Sequence, residues 1–306
     1  MKNDTLYRIS CGSEKLRIYA VECSSSIEAL FDLHKANAHT GWLLAESVTA
    51  ALLLSAGLKA DSDQNLTYRL QGNGKISQII VQCDARGNIR AYISDPQVYA
   101  EKGRNHIFSE LLGAALINVT KDLGFGDPYT GISPVLYGSV AKDTAYYLTN
   151  SEQIPSAVVI GTSFCSDGIS GTGGFVIQTY PDTPVSSIEN IEKKLLSRKI
   201  SLSDHLDDGK PVIEYVRNLF TGSKLRILSE TQITLNCRCS RGILARTFSG
   251  VDNAELQDMI QRDNGAEAVC SFCRKKYRFS AAELQEIIDD KEKSPGWNMT
   301  DGNLIN

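Results

Sequence analysis

The chain has 306 residues, 42% of them hydrophobic and 22% charged, with 32 Lys+Arg against 36 Asp+Glu and a formal charge of -4. That length allows two domains and a sizeable core. The composition excludes a disordered or membrane-embedded chain, and the slight acidity excludes a chain-wide nucleic-acid footprint while leaving room for a local basic patch.

Met1 to Cys23 alternates charged and apolar residues and holds no apolar h-region, so no secretory signal is expected and the predicted location is cytoplasmic. Ser25-Ser26-Ile27-Glu28 fits a capping box opening a helix to about Lys35. A second, more buried helix follows over Thr40 to Leu58; Glu46, Ser47, Thr49 and Ser55 make it too polar to cross a bilayer. Leu66 to Gln71 and Ile76 to Cys83 are strands joined by the turn Gly72-Asn73-Gly74, and Ile89 to Ile93 is the next strand. Further strands are expected over Val135 to Val140, Thr144 to Leu148, Ala157 to Phe164 and Phe175 to Tyr180. Gly168 to Gly174 precedes a strand instead of opening a helix, so it is expected as a flexible loop, not a phosphate cradle.

From Pro181 the texture changes. Ile188, Ile191 and Leu195 mark one face of a short helix, and a second begins at Pro211 with Val212, Val216, Leu219 and Phe220. Helices of this length are marginal in isolation, so tertiary contacts must hold them. The expected organisation is α+β: an N-terminal core domain over 1–181, a metastable helical linker over 182–230, a small zinc module over 231–291 and a tail over 292–306.

Cys11, Cys23, Cys83 and Cys165 are scattered and read as packed hydrophobes. The other four form two close pairs, Cys237-Arg238-Cys239 and Cys270-Ser271-Phe272-Cys273, separated by thirty residues. In a reducing compartment such pairs point to metal. Four thiolates complete the tetrahedral shell of one zinc ion and leave no open position for hydrolysis. Capping boxes at Asp252 to Glu255 and Ser280 to Glu283 start two helices whose apolar faces make only a meagre core, so the metal matters to folding. Arg238, Arg274, Lys275, Lys276 and Arg278 beside the thiols favour thiolate, the form peroxide attacks. Residues 231–293 nevertheless carry ten basic and ten acidic side chains, which disfavours nucleic acid. A redox switch, an inert structural zinc and a nucleic-acid contact, in that order, remain open on these residues alone. No Walker A lysine motif, HExxH or GxSxG is present, and the chain is not expected to be an enzyme.

The CxC and CxxC pairs, with Leu70-Gln71-Gly72-Asn73-Gly74, Asp84 to Tyr92, Ser151 to Pro155 and Gly173 to Gln178 in the same order, resemble the bacterial redox-regulated heat-shock chaperones, the 33 kDa chaperonins. The resemblance covers nearly the whole chain. It implies an ATP-independent holdase of the stress response, monomeric and inactive when reduced with zinc on Cys237, Cys239, Cys270 and Cys273. It further implies that oxidation forms Cys237–Cys239 and Cys270–Cys273, releases zinc, loosens the linker and exposes apolar surface to unfolding client proteins, with the active form a homodimer. Where that family commonly has a glutamate, this chain has Gly242, at about 1 kcal/mol against Ala inside a helix.

Overall fold

The computed structural model describes residues 4–101, 106–165 and 168–293, so the expected tail from 294 onward lies outside the described residues. Two compact units divide at Asn236/Cys237.

The first unit holds two sheets. Strands β1 (Thr5–Cys11), β2 (Leu16–Glu22), β8 (Ser156–Cys165), β9 (Gly168–Thr179) and β10 (Leu225–Gln232) form an antiparallel sheet in the order β10-β1-β2-β9-β8. Strands β3 (Asn65–Gly72), β4 (Gln78–Asp84), β5 (Asn88–Ile93), β6 (Ala115–Asp122), β7 (Tyr129–Pro134) and β11 (Thr234–Leu235) form the second, ordered β11-β5-β4-β3-β6-β7, with β11 parallel to β5. Helix α2 (Ala38–Ser55) packs on strands of both and is buried nearly all round, which is why its apolar residues show no one-sided stripe. Asn37 caps it, accepting from His39 N and Thr40 N.

Helix α1 (Ser24–His34) forms where expected, but its capping box does not. Asp4 takes that role, its carboxylate accepting from Ser25 N and Ser26 N. The strands expected at 135–140 and 144–148 are instead a loop and helix α3 (Val140–Asn150). Val140, Thr144, Tyr147 and Leu148 are buried at helical spacing. Asp143 fixes the preceding loop by accepting from Leu136 N, Tyr137 N and Ser139 N.

The first sheet is apolar on both faces. Tyr19, Val21 and Val176 join the core around α2, while Leu16, Ile18, Ala20, Phe175 and Ile177 belong to a second core on the opposite side. That second core is closed by α4 (Val185–Leu196), α5 (Leu202–Asp207) and α6 (Val212–Leu219), through Ile191, Leu202, Leu206, Val212, Tyr215, Val216 and Leu219. The segment read as a linker is thus the outer cover of a sheet, and α5 lies within a run too polar to announce a helix. Ser201 begins it with a reciprocal capping box to Asp204. The expected glycine-rich loop is part of β9: a side chain at Gly171 would begin 2.8 Å from Leu206 Cβ of α5, so glycine here permits close approach.

The second unit contains α7 (Arg241–Phe248), α8 (Asn253–Asp263), the hairpin β12 (Gly265–Val269) and β13 (Lys276–Ser280), and α9 (Ala281–Lys293). Its buried apolar core is small: Leu244, Phe248, Leu256, Phe279, Leu284 and Ile288. Ser280 and Glu283 form the expected capping box, Ser280 N donating to Glu283 Oε2 at 2.9 Å and Glu283 N to Ser280 Oγ at 3.4 Å.

Candidate metal centre

Cys237 and Cys239 occupy an extended stretch that ends at Ser240, whose hydroxyl accepts from Ile243 N and starts α7. Cys270 and Cys273 sit in the turn joining β12 to β13. That turn is tied by Cys270 N to Lys275 O at 2.9 Å and Arg274 N to Cys270 O at 2.8 Å. Arg274 takes the left-handed conformation there, φ 57°, an unfavourable one for a residue with a Cβ. The turn brings both sulfurs to one side, and all four Sγ atoms lie within 4.8 Å of one another.

Two of the sulfur contacts run across the pairs: Cys237 to Cys270 at 3.7 Å and Cys239 to Cys273 at 3.4 Å. Four ligands at about 2.3 Å from a central zinc stand about 3.8 Å apart, so the cluster has the size of a tetrahedral thiolate shell. These four cysteines could hold one metal ion.

Tyr277, on β13, adds a contact that spacing did not reveal. Its hydroxyl lies 3.3 Å from Cys239 Sγ and equally close to the Cys239 carbonyl. Burial acts to raise the Cys239 thiol, but hydrogen bonds from Tyr277 and the other three cysteines outweigh it and bring the group down to about 7. Burial pushes Cys273 up to about 12 and also raises Cys270. Burial thus disfavours the thiolate at Cys270 and Cys273, and a bound cation would favour it. By contrast, burial raises the Cys23 and Cys83 thiols, in keeping with inert packed groups; the side chain of Cys165 lies outside those described.

The basic run beside the cluster is partly neutralised. Glu267 of β12 pairs with Lys276 at 2.8 Å and Arg278 at 3.4 Å, which lessens the charge presented to a polyanion. Arg241, immediately after the first pair, lies 4.5 Å over the Phe279 ring and donates to Glu283, joining α7 to the start of α9. Neither contact was legible from local sequence, because each links residues about forty positions apart.

A family model described as Hsp33 protein matches residues 4–280. The chain is 33% identical over 288 residues to a 33 kDa chaperonin of Oceanobacillus iheyensis, covering 93% of this chain and 99% of that relative. It is also 33% identical to one of Bacillus velezensis, over 94% of this chain and 99% of the relative. Among solved structures, that of a 33 kDa chaperonin from Thermotoga maritima superposes with a TM-score of 0.84 at 27% identity, covering 95% of this chain and all of the other.

Proposed function

The chain belongs to the Hsp33 family, a family of chaperones, and from that premise we propose that it is a redox-switched, ATP-independent holdase of unfolding proteins in the cytoplasm. In the reduced state Cys237, Cys239, Cys270 and Cys273 hold one zinc ion. The observation that carries this reading is the four-sulfur cluster in a unit whose apolar core, among the described residues, comprises six buried side chains. Among the described residues no helix is long and apolar enough to cross a membrane.

Peroxide converts one thiolate of a pair to a sulfenic acid, and its neighbour displaces hydroxide to form the disulfide, two electrons passing to each peroxide. The family pairing is Cys237–Cys239 and Cys270–Cys273, so the cross-pair contacts of 3.7 and 3.4 Å must give way. Each bridge closes a loop worth only about 2 kcal/mol of chain entropy. The zinc site it replaces contributes roughly 10–16 kcal/mol in small modules. The second unit therefore unfolds on oxidation.

Cys237 follows β11, and β11 and β10 anchor the end of the first unit by pairing with β5 and β1. Unfolding beyond Cys237 frees that end to fray, and α4, α5 and α6 are too short to persist off the sheet. Their departure uncovers Ile9, Leu16, Ile18, Phe175 and Ile177, an apolar face suited to exposed segments of a client. The oxidised form is a homodimer and the reduced form a monomer.

Zinc content and hydrogen exchange test this directly. The reduced chain should carry one zinc per chain, and peroxide should release it while exchange over 185–219 accelerates by orders of magnitude. A reduced chain purified without zinc, or unchanged exchange over α4 to α6 after oxidation, would sink the proposal.

A further inference from the structure

Away from the thiols, the first unit has a partly open cavity of about 190 Å³ between the first sheet, the C-terminal end of α2, helix α3 and Lys121 of β6. An apolar cavity of about 150 Å³ holds a benzene ring, so this one has room for a ring and a small substituent. Its walls divide by strand register. Tyr19, Val176 and Val158 are paired neighbours across β2, β9 and β8, and one step along lie Arg17, Gln178 and Ser156. Val158, Val176, Leu53 and Leu148 give the cavity apolar surface, while Arg17 and Gln178 give it a polar one.

The charges are unbalanced. Lys121 on the wall is tied to Glu152, and that ion pair is itself mostly buried, at 20% and 13% exposure. Arg17 has no acidic partner among the described residues; its guanidinium lies over the rings of Tyr19 and Tyr180, at 5.8 and 5.6 Å. Its Nε is buried without a hydrogen bond, and so is the hydroxyl of Thr144, a cavity-lining residue only 1% exposed. Buried donors without partners are rare in folded proteins, and here they border a space that can supply one. One unpaired cation, unsatisfied donors and a compact apolar wall together specify a small organic anion.

We propose that this cavity is a binding site for a small carboxylate with a compact apolar body, its carboxylate on Arg17 and its body against Val158, Val176 and Leu148. The site is separate from the cysteine cluster and does not depend on the redox reading.

The test is calorimetric titration of the full reduced, zinc-loaded chain with benzoate, with benzamide and inorganic phosphate as comparison probes. Benzoate should bind saturably and raise the unfolding temperature of the first unit, and benzamide should bind roughly tenfold or more weakly. Phosphate, which lacks the apolar body, should not compete. Arg17→Gln should remove the preference for benzoate over benzamide, and Val158→Phe, which fills the space, should abolish binding of both. Thr144→Val, which keeps the volume, provides a second, milder variant and should weaken benzoate severalfold. Circular dichroism of each variant shows whether it is folded. Absence of saturable benzoate binding to the native chain, binding that survives both Arg17→Gln and Val158→Phe, or equal competition by phosphate would each overturn the proposal.

Discussion

Glu46 is 8% exposed within α2, and burial raises its carboxyl to about 8. The folded chain thus keeps a proton that the unfolded chain loses near the ordinary carboxylate value of about 4.3. Between those two values the folded state binds more protons, so its stability falls as pH rises and levels off above pH 8. Glu46→Gln should remove that slope and stabilise the first unit at pH 8 by a few kcal/mol, measured as denaturant midpoints at pH 5 and 8. A native-like slope in the variant would place the proton elsewhere. At the cluster, Cys273→Ser removes one of four sulfurs. Zinc affinity should drop by orders of magnitude and residues 237–293 should become protease-sensitive while the core around α2 stays folded. Unaltered zinc content would contradict the four-thiolate assignment. The thiols were legible because metal chemistry demands close pairs, and close pairs are visible in sequence. The contact of Tyr277 with Cys239 was not, since it depends on how β13 carries residue 277 back to the first pair.

Elements differ in how openly the sequence declares them. Apolar-rich runs on either side of the turn Gly72-Asn73-Gly74 identified β3 and β4, and one-sided apolar spacing identified α4 and α6. Helix α3 was misread as strand because Thr144-Ala145-Tyr146-Tyr147-Leu148 is rich in strand formers, and the buried Asp143 that organises its start declares itself only through three backbone donors. Glycines in β9 likewise gave a loop signal, although Gly173 and Gly174 lie against backbone of the neighbouring strands and Gly171 permits close approach of α5. That contact makes a prediction: Gly171→Val would set its side chain against Leu206 and lift α5 from the sheet. Exchange over Leu202–Asp207 should accelerate at least tenfold in the reduced chain, and some holding activity should appear without oxidant. Unchanged exchange would show that α5 does not depend on this approach. In the second unit, nothing lies within 4 Å of a side chain built on Gly242 in α7. Gly242→Ala should therefore stabilise the zinc-loaded module by about 1 kcal/mol, read as a higher denaturant midpoint; destabilisation would mean that the local backbone needs glycine.

At the scale of the whole molecule, a sheet with two apolar faces is covered on one side by a large core and on the other by three short helices. The chain then runs into a small unit bearing four clustered sulfurs. The sequence distinguished these regions by texture, yet the cover's partner was hidden, because the strands it protects lie up to two hundred positions earlier. The most direct test is light scattering from a thermally unfolding test protein, with the chain added either reduced and zinc-loaded or oxidised and zinc-free. The account predicts suppression by the oxidised form alone, reversed by a thiol reductant together with zinc. Equal behaviour of the two forms would contradict it and leave the four cysteines a structural site only.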